Sequence, residues 1–167
     1  MIVTINDLQS IRKRHADQKL VLTSGTFDLF HVGHLNYLKH VKKHGDVIMV
    51  LLSGDNRVKA RKGSSRPIIP EADRAKILDS LKIVDYVFID PSKLGPNETD
   101  PIHNDILQKL RPDFYVTDGP DPRFVNLMDK SKFIILERLN PYPSTTTIIE
   151  NIRNLMLQET KASKCVE

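Results

Sequence analysis

Residues 20–46 read LVLTSGTFDLFHVGHLNYLKHVKKHGD, and they carry the clearest strand, turn and helix signals of the chain. The apolar run at its start predicts a buried strand, and the small residues from Thr23 to Thr26 predict a tight turn. Apolar residues then recur at helical spacing as far as Gly45, which predicts a helix over 31–44. A strand, a tight turn and a helix start form a phosphate-binding arrangement, because the first helical turn has unpaired N–H groups and a partial positive charge.

Two histidines, His31 and His34, lie three positions apart at the predicted helix start and therefore project from the same side. Gly25 and Gly33 allow a ligand to approach the backbone closely. The pattern favours two histidines acting together on one phosphate group. A solvated surface helix and a metal site are the alternatives, although the one cysteine, Cys165, lies far along the chain.

The histidines follow the turn Gly25-Thr26-Phe27-Asp28, and this G-x-F-D turn with the subsequent H-x-G-H resembles the signature of the cytidylyltransferase-like nucleotidyltransferases. Members of this superfamily transfer a nucleotidyl group from a nucleoside triphosphate to a phosphorylated acceptor and release pyrophosphate. The resemblance implies that His31 and His34 act catalytically on the phosphates. It implies nucleotide-binding roles for the residues around them, namely Gly25, Thr26, Phe27, Asp28 and Gly33.

A basic loop follows the second predicted strand and ends in Lys62-Gly63-Ser64-Ser65-Arg66-Pro67. It resembles the lysine-rich loop of the family, which implies that Lys59 and Lys62 meet the triphosphate, without deciding which lysine is essential. A solvated basic loop is the plain alternative. Arg74, on the next predicted helix, matches an arginine that faces the nucleotide phosphates in the family.

The segment Ser144-Thr145-Thr146-Thr147-Ile148-Ile149 is similar to the S-T-T-x-I-I motif at the last helix of the family. This similarity implies that Ser144, Thr145 and Thr146 bind nucleotide, although hydroxyl residues at a helix start also serve as ordinary caps. Arg138 resembles the arginine that precedes the motif, with a slightly longer spacing here.

The turn after the fourth predicted strand departs from the family. Relatives carry a G-x-D type turn there, whereas this chain reads Thr117-Asp118-Gly119-Pro120-Asp121-Pro122, with the glycine displaced and two prolines added. Asp118 and Gly119 are kept as nucleotide-binding candidates. The resemblance therefore says least about the identity of the acceptor.

Strand and helix patterns alternate along the chain and predict an α/β, Rossmann-like three-layer fold with a mainly parallel five-stranded sheet. The five strands are expected near 20–23, 46–53, 85–90, 114–117 and 133–136, and a last helix near 145–157. We expect one nucleotidyltransferase domain over 1–158 and a polar tail over 159–167. The polar turns after four of the strands should open on one edge of the sheet, where ligands of such folds bind.

Bulk composition is that of an ordinary globular domain, with 40% hydrophobic and 28% charged residues. No apolar run is long enough to span a membrane, the N-terminus lacks a signal-peptide pattern, and a single cysteine suits a reducing compartment, so a cytoplasmic location is expected. Eight Lys/Arg against two Asp between residues 39 and 66 suit a polyphosphate ligand. Nucleic acid is the less favoured partner, because aromatic residues are few and no nucleic-acid motif is present.

The expected activity is transfer of NMP from an NTP to a phosphorylated sugar or polyol. Similarity is greatest to the adenylyltransferase domain of ADP-heptose synthases, which favours ATP. A CTP-dependent enzyme acting on glycerol-3-phosphate or a similar alcohol phosphate is the first alternative, and a non-catalytic nucleotide- or nucleic-acid-binding module is the second. The resemblance also implies Mg²⁺ brought with the triphosphate, since no protein ligand for a metal is evident, and a homodimer, since relatives are commonly dimeric.

Overall fold

In the computed structural model, which describes residues 1–92, 101–119, 121–137 and 144–164, six parallel strands form one sheet. The strands are β1 (Ile2–Val3), β2 (Leu20–Gly25), β3 (Val47–Ser53), β4 (Tyr86–Asp90), β5 (Phe114–Thr117) and β6 (Phe133–Ile135). The helices are α1 (Leu8–Arg14), α2 (Val32–Lys42), α3 (Asp55–Lys62), α4 (Glu71–Asp79), α5 (Pro101–Leu110), α6 (Pro122–Val125) and α7 (Thr145–Lys164), with a short 3-10 turn at Lys130–Lys132.

The predicted α/β class with a parallel sheet is confirmed, but the predicted number of five strands is wrong. The additional strand is β1, whose residues Ile2 and Val3 pair with Val87 and Phe88 of β4. Two residues are too few to show the alternation by which a strand is recognised in sequence.

Both faces of the sheet are covered, which explains why every residue of β3 is buried. On one face, Leu20 and Leu22 pack in a core with residues of α1 and α5. On the other face, Val21 packs with residues of α2 and α4. Successive residues of a strand alternate between these two layers, so residues two positions apart on one strand join the same layer.

The sheet order is β1-β4-β3-β2-β5-β6, and the chain changes direction at β2. After β2 it adds β3 and β4 on one side, then crosses to place β5 and β6 on the other. Parallel sheets with such a reversal leave a crevice at the carboxyl ends of the strands. The turns after β2, β3, β5 and β6 therefore meet at one edge, as the sequence predicts.

Helix boundaries differ from expectation in two places. The basic segment after β3 is a helix, α3, and α7 continues to Lys164 beyond the predicted end near 157. Within the described parts of the chain, no helix combines the length and apolar content that crossing a membrane requires.

Candidate active site

A cavity of about 1020 Å³ opens at the carboxyl edge of the sheet, where the crevice at β2 and β5 lies. It is lined by the G-x-F-D turn, the start of α2, parts of α3, the turn after β5 and the start of α7. Its lining includes thirteen of the sixteen residues predicted from sequence: Gly25, Thr26, Phe27, Asp28, His31, Gly33, His34, Lys62, Asp118, Gly119, Ser144, Thr145 and Thr146.

The turn after β2 has an uncommon backbone, in which Phe27 and Leu29 take positive φ angles of 50° and 47°. The Phe27 ring lies over Gly25, where an added Cβ would stand 2.6 Å from a ring carbon. Glycine is therefore required by the fold of the turn itself.

Asp28 holds this turn in place. Its buried carboxylate accepts hydrogen bonds from the backbone N–H groups of Ile68 and Ile69 at 3.0 and 2.9 Å, and forms an ion pair with Arg66 at 2.8 Å. These bonds keep the pKa of Asp28 below its usual value despite the opposing effect of burial. The predicted nucleotide-binding residue Asp28 thus contributes a structural anchor at the cavity wall.

The two histidines form the start of α2. His31 is the N-cap, and its Nδ1 accepts a hydrogen bond from the Gly33 N–H at 3.1 Å. His34 Nδ1 accepts one from the His31 N–H at 3.4 Å, and the two rings stack with centroids 3.9 Å apart. Since each Nδ1 is an acceptor, the neutral form of each ring carries its proton on Nε2.

Both histidines are neutral at physiological pH. Burial, followed by the charges of His31 and Lys62, lowers the pKa of His34 to about 3. Desolvation likewise lowers the pKa of His31. The pair therefore supplies two neutral Nε2–H donors beside the positive end of a helix, an arrangement suited to hydrogen-bonding phosphate oxygens.

The two candidate lysines of α3 take different positions. Lys62 lines the cavity, and desolvation and the neighbouring arginines Arg61 and Arg66 lower its pKa. Lys59 is exposed and does not line the cavity. Because Lys59 does not line the cavity, its catalytic role stays a prediction.

Arg74 is also absent from the cavity lining, and the nucleotide-binding role expected for it stays a prediction. Its side chain is 1% exposed and donates to the backbone oxygens of Ile69, Thr26 and Ser53 at 2.9, 2.5 and 2.9 Å. It also forms an ion pair with Asp55 at 2.7 Å. Arg74 ties the ends of β2 and β3 to α4 from behind the cavity.

The S-T-T segment forms the opening of α7 at the cavity. Ser144 Oγ accepts a hydrogen bond from the Thr147 N–H at 3.1 Å, which makes Ser144 a helix cap. The buried Thr145 hydroxyl donates to the Asp28 backbone oxygen at 2.9 Å and so joins α7 to the G-x-F-D turn. Thr146 lines the cavity and is exposed. Arg138 lies outside the described residues.

Three arginines in the cavity lining, Arg57, Arg61 and Arg123, were not singled out from sequence as site residues. Arg57 and Arg61 belong to the basic run counted above, where they contributed only to a general positive field. Arg123 lies at the end of the unusual turn after β5, and Asp121 of that turn binds it at 2.6 Å. The departure from the family turn was the one signal in the sequence for Arg123.

The fold thus places a helix start with two histidines in the wall of a cavity at the carboxyl edge of a parallel sheet, an arrangement suited to phosphate groups. A family model described as cytidylyltransferase-like matches residues 22–160, and the chain belongs to this family. The expected enzyme class, a nucleotidyltransferase, is thereby confirmed.

Curated relatives carry the name bifunctional protein HldE, an ADP-heptose synthase, which agrees with the resemblance stated from sequence. The HldE of Helicobacter pylori strain HPAG1 is 39% identical over 141 residues, covering 83% of this chain and 28% of that protein. The HldE of Campylobacter concisus strain 13826 is 35% identical over 153 residues, covering 90% of this chain and 30% of that protein. The chain thus spans less than a third of the length of these relatives.

Two solved structures share the fold. A lipopolysaccharide core biosynthesis protein from Thermoplasma volcanium GSS1 superimposes with a TM-score of 0.57 at 23% identity, covering 74% of this chain and 99% of that one. A pantoate-beta-alanine ligase from Francisella tularensis superimposes with a TM-score of 0.54 at 21% identity, covering 84% of this chain and 68% of that one. At this identity the likeness concerns the fold.

Proposed function

We propose that this protein transfers AMP from ATP to a phosphorylated sugar or polyol, giving an ADP-linked product and pyrophosphate. The observation that carries the proposal is the pair of stacked, neutral histidines, His31 and His34, at the start of α2 in the cavity wall. The HldE relatives, at 35–41% identity, support the choice of an adenylyl group and a sugar phosphate. CTP is the second candidate, and the cytidylyltransferase-like family model favours it.

In the proposed reaction, a phosphate oxygen of the acceptor attacks the α-phosphorus of the bound nucleotide. One P–O bond forms, the bond from the α-phosphorus to the bridging oxygen breaks, and pyrophosphate leaves with the bonding electrons. Positioning and charge stabilisation dominate catalysis of such a transfer. The Nε2–H groups of His31 and His34 donate to the oxygens on which charge builds up, and Lys62 neutralises the leaving phosphates.

Magnesium belongs to the proposal as the counter-ion of the triphosphate. In the segments that the structure describes, no cluster of three or more His, Cys, Asp or Glu side chains is placed to hold a metal ion. A divalent ion bound mainly by nucleotide phosphates is common in phosphoryl-transfer enzymes.

Nucleotide choice is tested by thermal unfolding with ATP, CTP, GTP and UTP, each with magnesium. A nucleotide present at about 100 times its Kd stabilises the protein by roughly 2.7 kcal/mol, and we expect the largest shift with ATP. A shift with CTP alone would replace the adenylyl proposal with the cytidylyl alternative.

Catalysis is tested by pyrophosphate release in the presence of phosphorylated sugars and polyols. His34→Ala should lower turnover by about a hundredfold or more, because it removes a donor used in the transition state. His44→Ala is the matched control, since His44 follows the same helix and does not line the cavity. Turnover by His34→Ala close to that of His44→Ala would contradict the role given to the histidines.

A further inference from the structure

A buried charge cluster lies behind the cavity, at the carboxyl end of β4. Its centre is Asp90, which is 1% exposed and does not line the cavity. The Oδ2 atom of Asp90 lies 3.1 Å from His103 Nε2 and 3.1 Å from Arg123 Nη1. Its Oδ1 atom accepts a hydrogen bond from the Ser92 N–H at 2.9 Å. Three separate segments, α5, α6 and the end of β4, thus meet at one carboxylate.

Stability alone does not account for this cluster. Burial opposes the ionisation of Asp90, but hydrogen bonds from His103 and Ser92 lower its pKa to about 2, so it is charged at neutral pH. Buried ion pairs add little net stability, because desolvation offsets most of the attraction and apolar residues of similar size often serve as well. The bonds around Arg123 give a different reason for the cluster.

Arg123 is held by hydrogen bonds on all three nitrogens of its guanidinium group. Its Nε donates to Asp121 Oδ1 at 2.8 Å, and its Nη2 donates to Asp121 Oδ2 at 2.6 Å and to Ser24 Oγ at 2.8 Å. Its Nη1 donates to Asp90 Oδ2 at 3.1 Å. Arg123 thereby ties the turn after β5, which carries Asp121, to the ends of β2 and β4.

This link crosses the reversal in the sheet order. β4 and β5 are separated by β3 and β2, a span of about 14 Å at the usual spacing of strands. The half of the sheet that contains β3 and β4 carries α3 with Lys62, whereas the turn after β5 contributes Asp118 and Gly119 to the cavity lining. The bond between Arg123 and Asp90 therefore fixes two walls of the cavity relative to each other.

His103 lies behind Asp90 in this network. It is fully buried in the first turn of α5, and its ring packs edge-on against Phe124 with centroids 5.3 Å apart. Since Asp90 is a carboxylate, the Nε2 of His103 carries the proton of their hydrogen bond. Within the described parts of the chain, the Nδ1 of His103 has no hydrogen-bond partner. The bond to Asp90 is what His103 contributes to the network.

We propose that Arg123, anchored by Asp90 and His103, is a positioning residue that holds the turn after β5 in place for nucleotide binding. This inference rests on the proposed function and on the nucleotide-binding role expected of Asp118 and Gly119. A turn that is already fixed spares the nucleotide the entropic cost of ordering it. Arg123 follows directly on the segment where this turn departs from the family pattern.

The test is calorimetric titration with ATP and with CTP, each with magnesium, in the wild type and in variants of the anchor. Both carboxylate oxygens of Asp90 accept hydrogen bonds, so the NH₂ group of Asp90→Asn must face a donor at one of them. We expect Asp90→Asn to weaken binding of the preferred nucleotide about tenfold. His103→Leu removes one donor to Asp90 and should weaken binding about threefold, whereas His103→Gln keeps a donor and should restore it.

Asp113→Asn is the matched control. It disrupts a comparable ion pair, between Asp113 and Arg12 at 2.9 Å, at the opposite edge of the sheet. Melting curves should show that Asp113→Asn and Asp90→Asn both lose stability, but nucleotide affinity should stay within about twofold of the wild type in Asp113→Asn. His103→Leu tests the same anchor if Asp90→Asn does not fold.

A double variant shows whether Asp90 acts through Arg123. Arg123→Lys combined with Asp90→Asn should lose no more affinity than the weaker-binding single variant, because both changes break the same link. Additive losses would overturn the inference. Wild-type nucleotide affinity in Asp90→Asn, or in His103→Leu where Asp90→Asn does not fold, would also overturn it.

NMR spectra of protein labelled with ¹⁵N-arginine report on the anchor without a ligand. The hydrogen bonds of Arg123 should block rotation of its guanidinium group and give separate Nη signals in the wild type, and these signals should merge in Asp90→Asn. Merged signals in the wild type would overturn the inference. Nucleotide binding without pyrophosphate release would contradict the proposed function alone, whereas a wild type that binds neither nucleotide would overturn both.

Discussion

Protonation of His34 should destabilise the protein as the pH falls below about 6.5. Its pKa is about 3 in the folded chain against an ordinary value of 6.5, so the unfolded state binds more protons than the native state between these values. Stability contributed by the neutral ring is therefore complete above pH 6.5 and is lost as the pH falls.

The size of the effect follows from this difference in pKa. At pH 5 the unfolded histidine is almost fully protonated and the folded one is not, which costs about 2 kcal/mol of unfolding free energy relative to pH 7.5. At about 2.1 cal/mol/K per residue, a chain of this length unfolds with an entropy near 0.35 kcal/mol/K, so the loss corresponds to a Tm lower by about 6 °C.

The assay compares melting temperatures of the wild type and His34→Gln at a series of pH values from about 7.5 to 5. Glutamine keeps a neutral N–H donor but cannot titrate, so the wild type should lose about 6 °C more than the variant. The comparison cancels the titration of the remaining histidines. His44→Gln, which removes a histidine outside the cavity, should retain the wild-type slope because His34 is still present.

Parallel melting curves for the wild type and His34→Gln over this range would refute the reasoning. Such a result would mean that His34 is protonated in the folded protein as readily as in the unfolded chain. The assignment of a neutral Nε2–H donor to His34 would then be withdrawn.

Three further outcomes are expected. Asp28→Asn should lower the unfolding free energy in urea by about 3 kcal/mol, because it leaves the Arg66 guanidinium without its buried partner; an unchanged urea midpoint would contradict this. Lys62→Gln should reduce kcat/KM for pyrophosphate release by tenfold or more, which corresponds to about 1.4 kcal/mol of lost transition-state stabilisation. Lys59→Gln should reduce it by much less, because of these two lysines only Lys62 lines the cavity. Equal losses in the two variants would contradict a specific role for Lys62. Thr145→Val should cost about 1 kcal/mol of stability through loss of its hydrogen bond to the Asp28 backbone oxygen, and a melting temperature equal to that of Thr145→Ser would argue against that bond.

Features that depend on short stretches of chain were predictable from sequence. His31 and His34 are three residues apart on one helix, so the geometry of α2 alone brings them together. The apolar run of β3 predicts a strand covered on both faces, and every residue of β3 is buried.

The roles of the arginines were not predictable in the same way. Arg74 follows a proline and acidic residues on a short helix, where an arginine is usually a surface residue, yet it is buried among three backbone oxygens and Asp55. Local sequence does not reveal which carbonyl groups of distant strands will surround a side chain. A buried guanidinium is tolerated here because acceptors meet it on all sides.

The fold class, the tight turn after β2 and the histidine pair could be read from the sequence alone, because hydrophobic periodicity and the spacing of a few residues act over one strand, one turn and one helix. Which cations line the cavity depends on the tertiary structure. Lys62 and Arg61 point into the cavity and Lys59 does not, while Arg123 arrives there from a turn far away in sequence. The reversal of the chain at β2 brings those segments to one edge of the sheet. A local sequence pattern does not predict such contacts between segments that are far apart in the chain.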